Sequence, residues 1–110
     1  MLQAESPSEA SAPIFAALGS VTRLELISRL GDGGEHSIAS LTEGLDLTRQ
    51  AVTKHLQVLQ HAGIVDSRRV GRESRFTIRP DPIAQARDYL ARVSNQWDEA
   101  IARLRQAVER

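Results

Sequence analysis

In this chain of 110 residues, 14 Lys and Arg balance 14 Asp and Glu for a formal net charge of zero, a length that holds one domain. A hydrophobic fraction of 41% with 25% charged residues is ordinary globular composition and excludes an intrinsically disordered protein. The lack of cysteine excludes disulfides, thiolate zinc sites, iron–sulfur clusters and a cysteine nucleophile.

Residues 1–12 carry Glu5, Glu9 and Pro7 and no apolar run. They read as a disordered tail without the basic and hydrophobic regions of a signal peptide. No stretch of about 18 consecutive apolar residues follows, so a cytoplasmic protein with no membrane partner is expected. The folded domain is expected over 13–110. Phe15 and Leu18 lie one turn apart before Gly19, which suits a short helix ended by a left-handed glycine. Ser20 caps a second helix with Leu24, Ile27 and Leu30 inward and Arg23, Glu25 and Arg29 on the other side, and GDGG (31–34) breaks it.

Ser37 caps a short third helix with Ile38, Leu41 and Leu45 on one face and Gly44 near its end. Thr48 caps a fourth, which runs to Gly63 with Val52, Leu56 and Leu59 spaced for the core. The short link Gly44 to Leu47 has the length of a helix-turn-helix connection. From Ile64 to Arg79 the pattern alternates around Gly71 and reads as a hairpin, with Phe76 and Ile78 on one side and Arg75, Thr77 and Arg79 on the other. Pro80 and Pro82 end the strand, and a last helix runs from Ile83 to about Val108. Its stripe repeats every seven residues through Ile83, Leu90, Trp97 and Leu104, with Ala86, Val93, Ala100 and Ala107 between. Trp97, Ile101 and Val108 widen that stripe beyond what one small core needs, so a second copy is expected to meet it.

The predicted fold is therefore mainly helical with a β-hairpin wing: a winged helix-turn-helix with long terminal helices. Charge follows the same division. Residues 1–47 carry two arginines against seven carboxylates, residues 48–79 carry seven Lys and Arg against two, and residues 80–110 carry five against five. A basic block confined to the fourth helix and the hairpin is the footprint of a polyanion-binding face. On the fourth helix Arg49, Gln50, Thr53, Lys54 and Gln57 point away from the core positions. Arg and Lys donate to guanine O6 and N7, Gln pairs with adenine and Thr touches the thymine methyl, while Thr48 at the helix start suits a phosphate. Arg68, Arg69, Arg72 and Arg75 around Gly71 are candidates for backbone contact. Any one of these side chains serves solubility equally well; their grouping beside a basic hairpin is what points to double-stranded DNA. His55 and His61, six apart, lack the i, i+4 spacing of a two-histidine metal site. His55 reads as a packing or hydrogen-bonding residue beneath the recognition surface and His61 as solvated.

LGSVTRLELISRL (18–30), LTRQAVTKHLQVLQHAGIVDSRRVGRESRFTI (47–78) and the Trp-containing last helix resemble the ArsR/SmtB family of bacterial winged-helix repressors, over roughly residues 13–108. The resemblance implies a homodimer joined through the first and last helices, here Phe15, Leu90, Val93, Trp97, Ile101 and Leu104. It implies a repressor on an inverted-repeat operator, released by an inducer, either a small molecule or a protein. By motif position it assigns base contact to Thr48 through Gln57 and the wing to Arg68 through Arg75. The metal-sensing members use cysteines, or Asp and His pairs on the last helix. This chain has no cysteine and its last helix no histidine, so it is similar to the cysteine-free branch and no metal or other cofactor is expected. No Gly-rich phosphate loop or nucleophile motif is present, which argues against an enzyme. The alternative is a winged-helix protein-interaction module without specific DNA binding, against which the basic block speaks.

Overall fold

The computed structural model describes residues 5–109. Helix α1 (Pro7–Leu18) begins well before the boundary expected from sequence. The Ser6 hydroxyl accepts from the Glu9 N–H at 3.1 Å and donates to the Glu9 carboxylate at 3.0 Å, an N-cap that starts a helix at Pro7. The expected tail is thus corrected: residues 7–12 are helical, Ser11 is buried with Ile14 and Ala17, and only residues 1–4 of that tail lie outside the described residues. Pro13 sits inside the helix at the cost of one backbone hydrogen bond. At the other end Gly19 has φ −79°, so the expected left-handed stop is absent and the chain turns through ordinary backbone instead.

Ser20 accepts from the Arg23 N–H and opens α2 (Val21–Leu30), which meets α1 at 95°. Its core residues are Leu26 and Leu30, while Leu24 is half exposed. Leu30 and the partly buried Ile27 keep to the expected face, while Leu26 is buried where Leu24 was expected. The loop after Gly31 leads into β1 (His36–Ser37) and α3 (Ile38–Thr42), capped by Ser37. After Gly44, at φ +75°, comes α4 (Arg49–His61), capped by Thr48 as the sequence predicts. Val52, Leu56 and Leu59 are fully buried beneath it.

The hairpin of β2 (Val65–Val70) and β3 (Glu73–Ile78) closes on Gly71 and Arg72, with Val70 opposite Glu73. Gly71 takes φ +62°, the left-handed conformation that glycine supplies cheaply. β1 adds to the far edge of β3, pairing His36 with Phe76, so the sheet order is β1-β3-β2. Phe76 on the inner face joins Leu26, Leu30, Leu41, Ile64 and Val65 in one core.

Helix α5 (Pro80–Val108) is 29 residues long and starts at Pro80, before Ile83. Its first turns pack on α1, where the Phe15 and Tyr89 rings meet at a tilt of 59° with centroids 5.8 Å apart and the Ser8 and Tyr89 hydroxyls lie 3.3 Å apart. Beyond Tyr89 the helix leaves the core: Leu90, Trp97, Ile101, Leu104 and Val108 are all exposed, and Trp97 retains 66% of its surface. Phe15, by contrast, is partly buried within its own chain. Among the described residues no single helix is long and apolar enough to cross a membrane.

Candidate nucleic-acid interface

Burial of Val52, Leu56 and Leu59 fixes the rotation of α4 about its axis, and that rotation decides which side chains reach solvent. Positions 50, 53, 54 and 57 are spaced i, i+3, i+4 and i+7, so they share the opposite face. Arg49, Gln50, Lys54 and Gln57 are exposed and Thr53 is half-buried. The Thr53 hydroxyl donates to the Arg49 carbonyl at 2.7 Å, which occupies its hydrogen. At the helix start the Thr48 hydroxyl oxygen accepts from the Ala51 N–H at 3.1 Å.

These five helical side chains line one open groove of about 640 Å³, whose opposite wall is the hairpin, through Arg69, Arg72, Glu73 and Ser74. The hairpin is held beside the helix partly by Gln60, whose amide donates to the Ser67 hydroxyl at 3.1 Å. Strand pleating selects which arginines face the helix. Arg69 lies opposite Ser74 in register, on the same face as Phe76, whereas Arg68 lies opposite Arg75 on the other face.

The structure thus divides the four predicted wing arginines. Arg69 and Arg72 join the groove; Arg68 and Arg75 do not. Arg68 is held by Glu35 through Nε and Oε2 and through Nη2 and Oε1, the latter at 2.7 Å, and Arg75 lies 3.4 Å from Glu73. Two like charges directly across a ladder repel, and Glu35 beside Arg68, with Glu73 beside Arg75, supplies the counter-charge. The hydrogen bond from Arg68, with the positive field of both arginines, holds the Glu35 carboxyl below its ordinary range, and Glu35 in turn raises Arg68. Nothing in the spacing of the sequence announced Glu35, because its partner is 33 residues away.

The histidines have separate surroundings. His55 is half-buried and its Nδ1 lies 3.2 Å from Arg23 Nη1, as expected of a hydrogen-bonding residue beneath the recognition surface, and His61 is exposed in the last turn of α4. His36 Nε2 meets the Asp32 carboxylate at 2.9 Å. That contact, followed by the Gly34 N–H, lowers the Asp32 carboxyl below its ordinary value. Among the described residues no group of three or more His, Asp or Glu side chains is placed to hold a metal ion.

Two helices joined by a tight turn, the second facing a basic hairpin across a groove, define a DNA-binding regulator of the winged helix-turn-helix class. Residues 18–68 match the family model described as a helix-turn-helix domain. The chain is 37% identical to the HTH-type transcriptional regulator YuzN of Bacillus subtilis, over 64% of this chain and 83% of the relative. Among solved structures it is similar to an ArsR-like transcriptional regulator from Rhodococcus sp. RHA1, at 37% identity and a TM-score of 0.73, covering 88% of this chain and 91% of that one. A crystal structure of an ArsR family transcriptional regulator matches at 26% identity and a TM-score of 0.76, over 87% and 97% of the two chains. The chain belongs to the ArsR family of winged helix-turn-helix transcriptional regulators, which are DNA-binding proteins and not enzymes.

Proposed function

We propose that two copies of the chain act together as a repressor on an inverted-repeat operator, each α4 entering a major groove with half-sites about one helical turn apart. The observation that carries the reading is the convergence of the polar face of α4 with Arg69 and Arg72 on one groove. Arg49 and Lys54 are suited to guanine, Gln50 and Gln57 to adenine, and Thr53, whose hydroxyl hydrogen is already used, to the thymine methyl. Thr48 still has its hydroxyl hydrogen to offer a phosphate at the helix start. Arg69 and Arg72 take the flanking backbone, while Arg68 and Arg75 supply field rather than contact.

The second copy is supported by the exposed stripe Leu90, Trp97, Ile101 and Leu104 on α5, which a monomer would leave in water. Val93 widens it, and Phe15 joins it indirectly by fixing α1 against Tyr89. Occupying a promoter in this way blocks transcription in the cytoplasm until an inducer, a small molecule or a protein, releases the DNA. The test is binding of the purified protein to the DNA upstream of its own coding region and to a scrambled duplex of equal length. The titration runs at several salt concentrations, with and without zinc or a chelator. Tight binding to the native duplex alone is expected, unchanged by zinc or chelator. Equal, weak binding to both overturns specific autoregulation.

A further inference from the structure

Arg23 stands at the 95° corner between α1 and α2 and spends its guanidinium on two other elements. Its Nε donates to the Ala17 carbonyl at 2.5 Å and Nη2 reaches the Ala16 carbonyl at 3.5 Å, both in the last turn of α1. The Ala16 carbonyl also accepts from the Gly19 N–H at 3.2 Å, whereas the Ala17 carbonyl is one that a helix end leaves to other donors, and a cation there also suits the helix dipole. Nη1 points the other way, to His55 Nδ1 on α4 at 3.2 Å. A guanidinium only donates, so Nδ1 must accept, which requires a neutral ring carrying its hydrogen on Nε2.

Among the described residues no carboxylate lies within ion-pair distance of Arg23, although the residue is half-buried. Charge neutralisation is therefore not what the contact provides; geometry is. His55 sits in the helical turn that presents Lys54 and Gln57 to the groove, immediately before the fully buried Leu56. The other end of the strut is the helix that packs on α5 through Phe15 and Tyr89.

We propose that Arg23 is a positioning residue for DNA reading: one guanidinium fastens the recognition helix at His55 to the end of α1, so the angle at which α4 meets DNA is set by the α1–α5 layer. This rests on the reading of α4 as the DNA-reading helix. The side chain touches no groove position, so its effect falls on specific binding, where several base contacts must align together, and not on charge-driven binding.

The experiment compares the wild type with Arg23→Lys, His55→Leu, His55→Asn and the Arg23→Lys/His55→Leu double variant, all as full chains. The probe is the duplex that the wild type enriches most from a random-sequence pool, beside a scrambled duplex of equal length, with thermal midpoint and sedimentation measured on each protein. Arg23→Lys and His55→Leu are each expected to weaken binding to the selected duplex on the order of tenfold, with the scrambled duplex and the mass unchanged. His55→Asn places an acceptor near the lost Nδ1 and should recover most of the affinity. The double variant should be no weaker than either single one, as coupling through one contact requires. Equal losses on both duplexes, losses that follow the thermal midpoint, additivity in the double variant, or no loss in His55→Leu would each overturn the proposal. A wild type that enriches no duplex at all would instead overturn the DNA-reading assignment on which it stands.

Discussion

Gln50 and Lys54 offer the sharpest distinction between reading bases and holding phosphates, because both are exposed on the groove face and neither is engaged by another side chain among the hydrogen bonds of the described residues. Changing either to Ala should cost about 1–3 kcal/mol on the operator and little on scrambled DNA; equal losses on both would remove the base-reading role. Arg72, at the wing tip, belongs to the other kind. Arg72→Ala should weaken both duplexes alike and flatten the dependence of log affinity on log salt by about one. Glu35 acts on the same quantity with the opposite sign. Glu35→Gln removes the counter-charge from Arg68 and Arg75, so nonspecific affinity should rise and its salt dependence steepen by up to about one. Acid should do the same: the Glu35 carboxylate is held below its ordinary range, so the ion pair persists above that range and is lost only as pH falls through the lowered value. A salt slope unchanged in Glu35→Gln would mean that Arg68 and Arg75 do not feel the DNA even when released.

At the scale of elements, the capping side chains were legible in the sequence because a cap is a local event: Ser20, Ser37 and Thr48 each accept from the N–H three residues on. The core face of α4 was legible for the same reason, since Val52, Leu56 and Leu59 repeat at helical spacing with polar residues between. What failed was long-range. β1 is only two residues and exists because β3 has a free edge to receive it, and the alternation of arginines told which face each occupied but not which face met α4. The start of α1 was local and still missed, since the Ser6 cap was overshadowed by Pro7 and Pro13, a residue type that ordinarily breaks helices. In α2 the apolar residues Leu24, Leu26, Ile27 and Leu30 permit two inward faces, and packing in the core chooses the one that buries Leu26 and leaves Leu24 exposed. Leu26→Ala should therefore cost about 2–5 kcal/mol in a urea titration and Leu24→Ala well under half as much. Equal costs would restore the face that spacing alone suggested.

The whole molecule is more extended than its length requires. Its radius of gyration is 18.5 Å and its longest extent 67 Å, against about 13 Å for a compact domain of about this size. The excess comes from α5, whose 29 residues span about 43 Å at about 1.5 Å per residue. Only Ala86 on that helix is buried, whereas five large apolar side chains beyond Tyr89 are exposed. Such a projection costs solvation and backbone entropy unless something covers it, and a two-fold partner covers the same stripe with the same stripe. This sets a test at the scale of the assembly. Trp97 is 66% exposed in the single chain, so Trp97→Glu should leave the protomer fold and its helical content nearly unchanged, while the thermal midpoint falls only by what the lost association contributed. In the proposed dimer the same side chain lies in an apolar seam, where an unpaired carboxylate is expensive. Sedimentation should move toward half the mass, and operator affinity should fall by tenfold or more, because each half-site then binds without the effective concentration supplied by the other. Binding to scrambled DNA should fall much less. A variant that keeps both its mass and its operator affinity would show that the stripe on α5 is not the seam, and the extended shape would then need a different partner to account for it.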